Sequence, residues 1–248
     1  MAASAPTGTV IVGALRDRAP EPSVALSRML AGAARRPGHR RIRLGPLSRA
    51  DVARVVSGET GQHAGGGVGE RIHARTGGNP FLIVELSRHV AGEGVLTAET
   101  AARAGVPSAV RDVVRGRMAG LDEDTRHLLR AAALIGAEGD IGLLARVADV
   151  DARSCLDRLD ELEALALLGP ARSDPRSFRF RHDLVRESVA TSTPLRQRTR
   201  LHLRIADALD DAAPAGGPVS ERVAHHLWAA GPLADPVRTA SALSRAAA

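Results

Sequence analysis

The chain has 248 residues, 44% hydrophobic and 25% charged, a globular composition that excludes end-to-end disorder and suits one or two domains or several small modules. No apolar run approaches the ~18 residues of a membrane span, the N-terminus lacks a signal peptide's basic start and apolar core, and a single cysteine excludes an internal disulfide, so a cytoplasmic location is expected. All 34 basic residues are arginine and tyrosine is absent, which excludes Schiff-base chemistry and a phosphate-loop lysine and argues against base-stacking surfaces; the net charge of +6 is spread along the chain.

Residues 9–14 (TVIVGA) are short, apolar and rich in β-branched side chains, and predict a buried strand. Val24, Leu26, Met29, Leu30 and Ala33 fall near helical spacing over 23–35, and Arg41–Leu44 predicts a second strand stopped by Gly45-Pro46. Strand, helix, strand over this length is a βαβ unit with parallel strands. A lone unit has open edges and bare faces, so it reads as the end of a larger α/β domain.

Beyond Leu47 the pattern turns helical. Ser48 with Asp51 starts a helix to about Val56, a glycine-rich loop covers 58–69, and a helix follows to about Arg75. Asn79 and Pro80 are a good N-cap and N1 pair for a helix to about Val90, and 92–105 reads as a linker. Pro107–Met118 predicts a helix with Val110, Val113 and Val114 on one face. Asp122, Asp140 and Asp151 cap helices at 123–135, 141–148 and 152–164, the last burying Cys155, Leu156, Leu159 and Leu162. Leu165–Leu168 and Phe178–Phe180 predict a hairpin, so three helices and a hairpin make a winged helix. Helices at 183–190, 195–210 and 219–229 close the pattern, the last two like the opening of an α-α array.

The chemistry-bearing motifs are sparse. Gly61 and Gly66 have phosphate-loop spacing, but Gly67 stands where lysine is needed, and a flexible linker fits better. His225 and His226 are helix neighbours about 100° apart and cannot clamp one ion. There is no HExxH, no Cys–His cluster and no G-x-S-x-G, so neither a catalytic set nor a metal site is found. The third helix of the winged fold, 151–163, carries five acidic residues against two arginines, which phosphates would repel; specific DNA binding by this chain is not expected.

Five segments carry a family resemblance: Val10–Asp17 (VIVGALRD), Arg43–Leu47 (RLGPL), Arg75–Leu82 (RTGGNPFL), Phe178–Asp183 (FRFRHD) and Ala224–Leu227 (AHHL). In this order they resemble the signal-transducing ATPases called STAND, and more narrowly the actinobacterial LuxR-type, MalT-like transcriptional regulators with an AAA-like ATPase module. The resemblance implies a mainly α fold with a small α/β remnant. Residues 1–47 would be a βαβ remnant of a P-loop-type core, 48–105 a helical subdomain and linker, 106–193 a winged helix, and 194–248 the start of a TPR-like array.

The resemblance also implies adenine-nucleotide contacts. Arg16 would face the γ-phosphate, Gly78, Asn79 and Pro80 would form the loop whose proline packs on adenine, and His182 would report on bound ADP. An arginine at a strand end, a helix N-terminus and a histidine near a diphosphate each suit that role. The bland alternatives are a surface ion pair for Arg16, a helix start for Pro80 and wing packing for His182. The family's phosphate-binding loop and Mg²⁺-binding acids are expected upstream of Thr9, and its DNA-binding helix-turn-helix beyond Ala248. The chain is thus expected to be the middle of such a regulator, binding ATP or ADP weakly or not at all and not an enzyme on its own. A protein partner or self-association is expected. The competing reading is an interaction scaffold without nucleotide.

Overall fold

The computed structural model describes residues 10–15, 23–171, 174–212 and 218–247. They are mainly helical, with one small three-stranded antiparallel sheet. The chain falls into two units, Met1–Ile42 and Arg43–Ala248.

In the first unit, helix α1 (Val24–Ala34) begins where the Leu26 N–H donates to the Ser23 hydroxyl at 3.2 Å. None of its residues is buried. The strands expected at 9–14 and 41–44 do not form: residues 10–15 and 41–44 carry no strand, and Val10, Ile11 and Val12 are 84%, 81% and 88% exposed. Thr9 lies outside the described residues. The composition is strand-like, but β-propensity measures fit to a neighbouring pleated surface, and neither segment has a ladder partner. The βαβ remnant is therefore not present among the described residues.

The second unit opens with α2 (Arg49–Thr60), α3 (Val68–Thr76), α4 (Pro80–Glu93) and α5 (Ala98–Arg103). The Ser48 hydroxyl accepts from the Asp51 N–H at 3.2 Å, as its spacing predicts. Helix α2 runs four residues past Val56 to a left-handed Gly61, shortening the expected loop. Val52, Val56, Ile72, Ile83 and Leu86 are fully enclosed where these helices pack. The expected linker at 92–105 holds α5, because Thr97 and Thr100 form a reciprocal capping box and Ala101 is buried. Burial and caps outweigh a Gly- and Thr-rich composition here.

Next come α6 (Ser108–Ala119), α7 (Glu123–Ile135), β1 (Glu138–Asp140), α8 (Ile141–Ala148), α9 (Ala152–Ala164), β2 (Leu168–Pro170), β3 (Ser177–Phe180) and α10 (Asp183–Ser192). Asp122, Asp140 and Asp151 cap α7, α8 and α9 through backbone N–H groups. The sheet order is β1-β3-β2, with Leu168 opposite Phe180 and Glu138 opposite Arg179. The first hairpin strand is shifted past the expected Leu165–Leu168, because Ala166 turns at φ +56° to end α9. Leu156 and Val113, expected in the core, are 50% and 41% exposed, while Cys155, Leu162, Val110 and Val114 are buried. Each exposed residue sits one position off the packed face of its helix, where the 100° step per residue turns it outward.

The chain ends in α11 (Leu195–Ala212), α12 (Pro218–Ala230), a 3-10 turn at Gly231–Leu233 and α13 (Pro236–Ala246). Leu201, Ile205 and Leu209 of α11 meet Val223 and Leu227 of α12, and α13 packs on α12. One apolar core runs from Val52 of α2 to Ala242 of α13.

Candidate functional site

The loop from α3 to α4 is built by two left-handed glycines, Gly77 at φ +59° and Gly78 at φ +76°. This region admits side chains only at a cost, and each glycine here also has a close neighbour. A Cβ on Gly77 would lie 2.8 Å from His182 Nδ1, and one on Gly78 would lie 2.5 Å from the Leu47 carbonyl oxygen. The Leu47 N–H donates to the Gly78 carbonyl at 2.9 Å, which fixes RLGPL against the loop. Asn79 then caps α4: its Oδ1 accepts from the Phe81 N–H at 3.0 Å and more loosely from the Leu82 N–H. Pro80 occupies the first helical position and is exposed.

His182 comes to this loop from 103 residues away, at the N-terminus of α10. Its Nε2 lies 3.5 Å from Asn79 Nδ2, and its Nδ1 is buried without a well-formed hydrogen bond. Burial, with Arg181 and Arg117 nearby, pushes the ring down to about 4, and the Thr76 carbonyl opposes this only in part. The imidazole is therefore neutral near pH 7. With the Asn79 amide donating, Nε2 accepts and the ring proton sits on the enclosed Nδ1. The contact at Nε2 is long for a hydrogen bond, so a better-placed donor can replace it.

The structure thus brings Gly78, Asn79, Pro80 and His182 into one neighbourhood, with Gly77 against the ring. Arg16 lies outside the described residues. Sequence reasoning missed the clamp beneath the loop. Arg75, at the end of α3, is 8% exposed; its Nη2 donates to Glu187 Oε2 of α10 at 2.5 Å and its Nη1 to the Ala101 carbonyl of α5 at 3.0 Å. Burial pushes the Glu187 carboxyl up, while the Arg75 guanidinium pulls it down. No local signal marks this pair, which is 112 residues apart in the chain. The same α3–α10 junction carries both the clamp and the His182 contact.

A second histidine group lies between α11 and α12. His202 Nδ1 and His226 Nδ1 are 2.8 Å apart and buried, and the His225 ring stands edge-on 5.1 Å from His226. Burial first, then the neighbouring rings and arginines, lowers His202 to about 4 and His226 to about 3. Among the described residues no group of three or more His, Cys, Asp or Glu is placed to hold a metal. Burial pushes the Cys155 thiol up to about 11, the opposite of a nucleophile's requirement. No helix among the described residues is long and apolar enough to cross a membrane. No protein-family profile matches the chain, and no curated protein is significantly similar to it.

Proposed function

We propose that this chain is a nucleotide-responsive switch segment of a STAND-type, LuxR-like transcriptional regulator, without catalysis of its own. The observation that carries the reading is the meeting of His182 with the Gly77-Gly78-Asn79-Pro80 loop across 103 residues of sequence, through a single 3.5 Å polar contact. On this reading α7, α8, α9 and their hairpin are the winged helix, and α11–α13 open a TPR-like array. The exposed Pro80 offers an apolar ring face to an adenine. A ligand that takes the Nε2 contact from Asn79 biases how the loop and α10 sit, by as much as its affinity differs between the two arrangements. The chain contains no lysine, so a phosphate-loop lysine would have to come from outside it.

Calorimetric titration with ADP tests this. The expected result is weak binding, about millimolar, that His182→Ala weakens by roughly fivefold or more, the scale of one lost hydrogen bond. An unchanged affinity in His182→Ala, or no binding at all, replaces this reading with the interaction scaffold. That second reading has its own support in Trp228, Leu233 and Val237, which are 72%, 49% and 74% exposed on the C-terminal helices. Exposed apolar groups in such numbers suit a protein partner.

A further inference from the structure

The two halves of α11 carry opposite charge, and only one half is satisfied. Toward its C-terminus Asp207 and Asp210 both bind Arg238 of α13, at 2.5 and 3.0 Å. Toward its N-terminus Arg196, Arg200 and Arg204 recur every fourth residue and so form one ridge, about 12 Å from first to last. Among the described residues Arg196 and Arg200 have no carboxylate within 4.0 Å, and Arg204 has only Asp149 at 4.0 Å and the Val147 carbonyl at 3.3 Å. This arrangement opposes folding twice. Like charges four apart on a helix repel, and cations in the first turns of a helix meet the positive end of its dipole.

The ridge does not face open water alone. It forms one wall of a cleft of about 550 Å³, with Glu123 and His127 of α7 opposite and Leu201 beneath. Glu123 is held by Arg130 at 2.8 Å and Arg126 at 3.6 Å, so its charge is already engaged along α7. Gln197 Nε2 lies 3.1 Å from His127 Nδ1, and since an amide nitrogen only donates, the neutral ring keeps its proton on Nε2. Burial, then Arg204 and Arg130, lowers the His127 pKa against the opposing pull of Glu123 and Asp124.

We propose that the cleft between α7 and the N-terminal half of α11 binds the phosphate groups of a small phosphorylated ligand. Guanidinium groups pair with phosphate oxygens through charge-assisted, often forked hydrogen bonds. Arg196 and Arg200 are the free forks, and His127 is a neutral donor on the facing wall. A bound dianion would relieve the repulsion along the ridge and complement the helix dipole. The site is separate from the His182 loop and does not depend on its role.

Titration of the full chain with inorganic diphosphate tests the proposal, read by calorimetry and by the His127 imidazole resonances. The expected outcome is binding at about millimolar or tighter, with His127 moving in step. The double variant Arg196→Gln/Arg200→Gln should weaken it by roughly tenfold or more. Both side chains are exposed and their charges oppose folding, so that variant is expected to fold with a melting temperature equal to or slightly above the parent's. One control should bind like the parent: Arg35→Gln/Arg36→Gln, which removes the same charge from the first unit. Equal weakening in the Arg35/Arg36 pair would reduce the effect to diffuse attraction by a basic protein and overturn the proposal. An undiminished affinity in Arg196→Gln/Arg200→Gln, or no response at about 10 mM diphosphate, would also overturn it.

Discussion

Residues 10–12 and residues 178–180 are each a short apolar run that reads as a strand, and only the second is one. Phe178 and Phe180 are 2% and 3% exposed and paired on both sides, by β1 and by β2. Val10, Ile11 and Val12 carry more β-branched character and remain bare. The difference lies in what the rest of the chain supplies. The second run packs against α10, its partner strands β1 and β2 meet α7, α8 and α9, and the two strands share its backbone hydrogen bonds. A strand is a relation between segments, and composition describes only one of the parties.

The largest expected effect is in amide exchange. Amides at 128–132 in α7 should be protected at least about 10⁴-fold, and those at 10–12 by less than about tenfold, because exposed unpaired backbone opens without cost. Equal protection of the two in a dilute monomer would break the comparison.

Core truncation comes next. Leu128 is fully buried, and Leu128→Ala should lower unfolding free energy by about 3 kcal/mol, against no more than about 0.5 kcal/mol for Ile11→Ala. Denaturant melts of the two variants give the ratio, and similar losses would mean that Ile11 has a packing partner.

Acid should act on the second unit specifically. His182 and His202 have folded values near 4 and His226 near 3, all below an unfolded value near 6.5. Below 6.5 the unfolded chain binds more protons, so this stability is fully present above that pH. It is lost progressively as pH falls through 6.5 toward 4. Melts should show a loss of about 2 kcal/mol or more between pH 7 and 5, allowing for partial exposure and coupling. A His182→Asn/His226→Asn variant should have a flatter profile; an unchanged slope would assign the acid response to other groups.

The smallest effect sharpens the picture at the hairpin's entrance. Ala166 holds φ +56°, a region that costs a side chain energy, so Ala166→Gly should stabilise by about 0.5–1 kcal/mol. A loss instead would mean that the methyl packs usefully.

Helix starts were legible wherever a short polar side chain precedes an apolar face. Ser48, Asn79, Asp122, Asp140 and Asp151 all accept backbone N–H groups where their spacing places them. Capping is a contact over two or three residues, so sequence carries it completely. The Gly77-Gly78-Asn79-Pro80 turn was legible for the same reason. Strand β1, with the sequence Glu-Gly-Asp, was not: it has no strand-like composition and exists because the free edge of β3 accepts it. Helix α5 was hidden by a linker-like composition, and α13 was not foreseen at all.

The sequence by itself determined where the helices capped by Ser48, Asn79, Asp122, Asp140 and Asp151 begin, most of their apolar faces, and that the chain offers no lysine and a single cysteine. Tertiary structure alone decided that His182 would meet Asn79, that Arg75 would clamp Glu187, and that the Arg196–Arg204 ridge would face His127 across a cleft. The reason is range. Caps and amphipathic faces are set within a few residues, whereas these meetings join positions about 70 to 112 residues apart, through packing that no single segment encodes.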